Sequence, residues 1–144
     1  MLDHHSWREL RHLPEIVLSW HAGKPNGRID WWSDGCATIT ISKDLTQAER
    51  RVAICHEIRH ALRGRPPIGA RARQYEELAI DIEVARLLIP FEHLVSAYRW
   101  TQNWSELADE LWVDRRTVIT RLKYLTDDEA AMLRAVIASM EEAA

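Results

Sequence analysis

Residues 56–60 read His-Glu-Ile-Arg-His, an H-E-x-x-H. On a helix, residues i and i+4 share a face, so His56 and His60 can present their imidazoles to one metal ion. Glu57 stands beside the pair, placed to reach a metal-bound water without ligating the metal itself. With seven histidines in 144 residues, chance would produce such a pentapeptide only about 0.03 times. A catalytic zinc needs a third protein ligand and an open position for water. Residues 75–83, Tyr-Glu-Glu-Leu-Ala-Ile-Asp-Ile-Glu, offer it, because Glu77 and Asp81 are again i, i+4. Glu77 is the expected ligand, and Asp81 the carboxylate that takes a histidine N–H and fixes its tautomer. Leu78, Ile82, Ala85 and Ile89 mark the expected core side of this second helix, with Glu77 and Asp81 on its border. The plainer account of these acids is a solvated face paired with Arg73 or Arg86.

Cys55 immediately precedes His56, but neighbours on a helix point about 100° apart. A Cys-His nucleophilic pair is therefore not built there, and Cys55 is expected to be a small core residue.

Together, His56-Glu57-x-x-His60, Glu77-x-x-x-Asp81 and Ala85-Arg86-Leu87-Leu88-Ile89-Pro90 resemble the ImmA/IrrE metallopeptidases of phages and other mobile elements. The second helix of that family reads Glu-x-x-x-Asn/Asp, then Phe-Ala-Ala, then Leu-Leu-x-Pro. The first spacing is also similar to that of the thermolysin-like peptidases, in which the Glu binds zinc and the Asp orients a histidine. The likeness runs from about Trp32 to Leu125. Three features depart from the family's pattern: Arg59 where Gly is frequent, Glu83 where Phe is usual, and a short loop from His60 to Glu77.

The resemblance implies a zinc-dependent endopeptidase of narrow specificity, whose protein substrate is commonly a transcriptional repressor. Zn2+ held by His56, His60 and Glu77 would lower the pKa of its water to about 7 and polarise the scissile carbonyl. Glu57 would accept the water proton and pass it to the leaving amine. The Ala37–Ser42 strand, entering just before the metal helix, is expected to offer its edge to an extended substrate. His93, Tyr75 and Tyr98 are the candidates for stabilising the transition state, each with ordinary packing or solvent exposure as its alternative.

The elements that must hold these groups are legible in the same residues. Thr46-Gln47-Ala48-Glu49 has the form of a capping box, and Gly64 ahead of Pro66-Pro67 is a stop, so the metal helix is expected over 46–63. A second helix is expected over 73–89, ended by Pro90. Before them, Ile16–Trp20, Arg28–Trp32 and Ala37–Ser42 read as strands after a short helix, with Asp34-Gly35 suited to a tight hairpin. The fold class expected is α+β: a zincin-like core over residues 1–100, made of a small antiparallel sheet of about three strands followed by helices, and a helical segment over 101–144 packed on it.

That last segment resembles a helix-turn-helix. Leu107, Ala108 and Leu111 would pack from its first helix and Val118 and Leu122 from its second, presenting Arg115, Arg116, Arg121 and Lys123 to a nucleic acid or partner. Trp112 stands at the turn position where Gly is usual. Residues 101–144 carry five Lys+Arg against nine Asp+Glu, so structure or protein recognition is favoured over DNA contact.

Composition bounds the remaining readings. The formal charge of −3 excludes a globally basic nucleic-acid binder. Cys36 and Cys55 make no disulfide framework, residues 1–18 carry charges throughout and no export signal, and no run of 18 apolar residues occurs. A cytoplasmic protein without a membrane segment is expected. The alternatives to a peptidase are a DNA-binding regulator and a non-proteolytic partner-binding protein with a structural zinc; a purely structural zinc has no need of Glu57. Trp31, Trp32, Trp100, Trp104 and Trp112 either line a recognition surface or fill the core.

Overall fold

After a short first helix, alternating apolar residues form the strands, and a change of period at Thr46 begins the long helices. The computed structural model describes residues 4–144, so residues 1–3 of the expected first unit lie outside the described residues. In chain order the elements are α1 (Ser6–Arg11), β1 (Ile16–His21), β2 (Gly27–Trp31), β3 (Ala37–Ser42), α2 (Gln47–Arg63), α3 (Ala70–Leu88), α4 (Phe91–Trp100), α5 (Trp104–Leu111), α6 (Arg115–Lys123) and α7 (Asp127–Ala143). This is an α+β fold with a three-stranded N-terminal sheet and a helical C-terminal part.

The sheet is mixed rather than antiparallel. Its order is β1-β3-β2: β3 runs antiparallel to β2, pairing Gly27 with Ile41, and parallel to β1, pairing Ile16 with Ala37. The Asp34-Gly35 hairpin forms as expected, with Gly35 at φ 87° and the Asp34 carboxylate accepting the Cys36 N–H at 3.0 Å. Because β1 returns to the far side of β3, the strand expected to be an edge is the centre of the sheet. Its Thr40 and Ser42 are buried along with Ile39 and Ile41, and the outer strand beside α2 is β2.

Two apolar clusters hold the metal helix. On one side Ile39 and Ile41 pack on Ala53, Ile54 and Ile58 of α2. On the other, Cys55 joins Ile80, Val84 and Leu88 of α3 and Leu107, Ala108, Val113 and Val118 of the C-terminal helices. Cys55 is thus the small core residue expected, its thiol pushed up to about 12 by burial, and it and Cys36 are free. The core stripe of α3 runs Ile80–Val84–Leu88, joined by the expected Ala85 and Ile89; of the other two expected residues, Ile82 is half-buried and Leu78 exposed. The i, i+4, i+8 spacing of the observed stripe puts Glu77 and Asp81 on the flank that faces α2.

The helix ends follow local chemistry. Thr46 Oγ1 accepts the Glu49 N–H at 3.1 Å, but Glu49 takes the Thr46 hydroxyl rather than its backbone amide, so only half of the expected box forms. The complete box caps α7, between Thr126 and Glu129. Gly64, at φ 90°, ends α2. Trp112 adopts the left-handed conformation (φ 56°, ψ 46°) that glycine would adopt, so the turn between α5 and α6 forms despite its bulk. Arg51 of α2 donates Nη1 to its carbonyl at 2.9 Å and lies over its ring. No helix among the described residues is long and apolar enough to cross a membrane.

Candidate metal centre

Midway along α2, His56 and His60 face the same way, their ring centroids 4.9 Å apart. Across from them α3 presents Glu77, whose Oε1 lies 2.6 Å from His60 Nε2 and whose Oε2 lies 3.2 Å from His56 Nε2. One carboxylate therefore bridges the Nε2 atoms of both histidines. A tetrahedral ion with bonds of about 2.0–2.1 Å separates its ligands by about 3.3 Å, which the His56–Glu77 spacing matches, while His60 and Glu77 stand closer, in direct hydrogen-bond contact. His56, Glu57 and His60 can also bring one ligand atom each within 4.8 Å of one another. Two imidazole nitrogens and a carboxylate are a borderline donor set that suits zinc, and the residues present fit such an ion.

Asp81 enters differently from the sequence expectation. Its Oδ1 lies 3.3 Å from His56 Nε2, the nitrogen that already faces Glu77, rather than from the nitrogen remote from the cluster. Its Oδ2 accepts from Arg116 Nη2 of α6 at 3.1 Å. The remote nitrogen of His56, Nδ1, lies 3.4 Å from Glu57 Oε1. Burial opposes a charge on His56, but its hydrogen bonds to Asp81 and Glu57 and the nearby carboxylates outweigh it and hold the imidazole up at about 10. Burial likewise works against the Asp81 carboxylate, which His56 and Arg116 nevertheless hold below its ordinary value.

Glu57 is only 5% exposed, whereas the Glu77 side chain is half exposed. Two recesses meet at His56, Glu57 and Glu77. One, of about 510 Å³, lies between Asn26 and Gly27 on one wall and Arg116, Thr117 and Thr120 of α6 on the other. The second, of about 330 Å³, continues past Arg28 and Ile29 toward Arg73. Gly27 borders both, so the outer strand of the sheet runs beside the cluster.

Compared with known proteins, the chain matches no family model, no curated protein and no solved structure. Arg59 Nη1 lies 3.6 Å from Glu83 Oε1, and Arg59 also pairs with Glu9 of α1.

The remaining candidates separate. Tyr75 is 68% exposed on α3 and borders neither recess. His93 lines a different recess, with Leu88 and Trp112, so the structure brings neither to the cluster. Tyr98 packs against the larger core. Of the four cations expected on one recognition face, Arg121 is buried at 2%. It donates to Glu129 at 2.6 and 3.2 Å and to the Ile89 carbonyl at 2.8 Å. Arg115 lies over the Trp104 ring and Lys123 over Tyr124. Arg116 alone of the four reaches the cluster. Trp32, Trp100, Trp104 and Trp112 are exposed.

Proposed function

We propose that the chain is a zinc-dependent endopeptidase of narrow specificity. Its expected substrate, by the ImmA/IrrE resemblance, is a transcriptional repressor or similar regulatory protein in a phage or mobile-element setting. The observation that carries the reading is Glu57: a carboxylate buried between the outer strand and the histidine pair, while Glu77 and not Glu57 bridges the two Nε2 atoms. With Glu77 already supplying the carboxylate that bridges the histidines, Glu57 is left for proton transfer.

His56, His60 and Glu77 would hold the ion, with Asp81 beside His56. Bound there, zinc would supply Lewis acidity to the scissile carbonyl and lower the pKa of the attacking water to about 7. Glu57 would accept a proton from the attacking water and return it to the amide nitrogen as the C–N bond breaks. An extended peptide fits along β2, the outer strand, rather than along β3. Arg116, across the cleft, offers a charged donor to a carbonyl oxygen of the bound chain. Tyr75 and His93 have no part in this arrangement.

The test is co-expression with a repressor encoded beside the gene. Cleavage is expected with the wild-type chain and not with Glu57→Gln, which keeps its zinc and its fold. Full biological effect from Glu57→Gln would replace catalysis with binding.

A further inference from the structure

Gly27 is the first residue of β2 and pairs with Ile41 of the central strand. Its backbone does not call for glycine. The positive-φ glycines are Gly23, Gly35, Gly64 and Gly69, and Gly27 is not among them. A strand position in ordinary extended geometry favours a β-branched residue, and glycine there weakens the strand unless another group must come close.

That close approach is present. A Cβ at position 27 would stand 3.0 Å from Glu57 Cγ, 3.0 Å from Glu57 Oε1 and 3.2 Å from Ile41 Cδ1. Carbon atoms in a packed interior sit about 3.5–4.0 Å apart, so something would have to give by several tenths of an ångström. Ile41 is fully buried. Glu57 is enclosed as well, with His56 Nδ1 3.4 Å from its Oε1.

We propose that Gly27 is a positioning residue for Glu57. The side chain it lacks is the space that the Glu57 methylene and carboxylate occupy, and the strand backbone fixes how far that carboxylate stands from the histidine pair. The consequence for cleavage rests on the reading of Glu57 as the proton acceptor; the spatial coupling of the two residues does not.

The test is a double-mutant comparison on the full chain, with melting measured in EDTA and activity measured with zinc. Gly27→Ala is expected to lower the melting temperature by about 5 °C. In the Glu57→Ala background the same substitution should cost much less, because only the Ile41 contact at 3.2 Å then remains. Zinc content is expected to be unchanged in Gly27→Ala, and with the cleaved repressor kcat should fall about tenfold while KM stays within about twofold. Gly27→Val extends the series and should lower kcat further. An equal loss of melting temperature in both backgrounds, or wild-type kcat in Gly27→Val, overturns the proposal. If no chain cleaves the repressor, wild type included, the peptidase reading fails while the melting comparison still decides the coupling.

Discussion

Arg116 of α6 sets its Nη2 3.1 Å from Asp81 Oδ2, and the other oxygen of Asp81 lies 3.3 Å from His56 Nε2. The guanidinium expected to face a nucleic acid or partner is linked through one carboxylate to the histidine pair. Its side chain is still 82% exposed, so it remains open to a chain lying in the cleft.

Arg116→Ala should therefore raise KM for a cleaved peptide about tenfold, the worth of one charge-assisted hydrogen bond, while zinc content is unchanged. Arg115→Ala, which loses only its place over Trp104, should change KM little. Steady-state kinetics on the two variants decide between them, and equal effects would remove Arg116 from the cleft's machinery.

Metal analysis separates the two carboxylates of α3. Wild type should carry about one zinc per chain, lost in His56→Ala, His60→Ala and Glu77→Ala. Asp81→Asn should keep the metal with affinity lowered roughly 10–100-fold, as expected of a group that acts on a ligand. Full zinc in Glu77→Ala together with none in Asp81→Asn would exchange their roles.

The metal-free chain should show a dependence on pH that traces to His56. Its imidazole is held at about 10 against an ordinary 6.5, because Asp81 and Glu57 outweigh its burial. The folded state thus binds this proton more tightly than the unfolded chain, so the contribution is complete below about 6.5 and disappears as pH rises through about 10. Melting in EDTA should fall across that window for wild type and stay nearly level for His56→Gln. A wild-type profile as level as that of the variant would count against the carboxylate cage.

At the other end of α6, Glu129 provides the opposite sign. Arg121, with help from the Thr126 amide and Arg86, holds its carboxyl down at about 2 despite burial. A lowered carboxyl stabilises above its ordinary 4.5, and the contribution is lost as pH falls from there toward 2. Glu129→Ala strands the buried Arg121 and should cost about 3 kcal/mol or more, or about 10 °C in melting temperature. Replacing both, as Arg121→Met with Glu129→Leu, should recover most of the loss.

Local signals in the chain translated well and non-local ones did not. The histidine spacing, the Thr46 cap and the Gly64 stop lie within one helix and depend on few partners. The place of β3 depends on β1 pairing across an intervening strand, and alternation of Thr38, Thr40 and Ser42 with apolar residues looks half-solvated whether or not a second face is covered. Arg121 reads as a surface charge because its partner, Glu129, arrives from the next helix. Leu78 and Ile82 suggest one stripe on α3, and only the packing of α2 and α6 selects Ile80 and Val84 in their place. Within the cluster, the Glu77 and Asp81 spacing was visible, whereas Gly27 reads as the end of a Gly-Lys-Pro-Asn-Gly turn until Glu57 is seen against it. The one available signal was a glycine standing directly before the expected Arg28–Trp32 strand.

Arg51 adds a consequence for any attempt to shorten the chain. From the metal helix it reaches the carbonyls of Leu88, Leu111 and Trp112, and Leu107, Val113 and Val118 close over Ile80 and Val84. Cutting after Trp100 would uncover that apolar face and leave Arg51 without two of these acceptors. The fragment holding every candidate metal ligand would then be a sticky, aggregation-prone piece rather than a minimal enzyme.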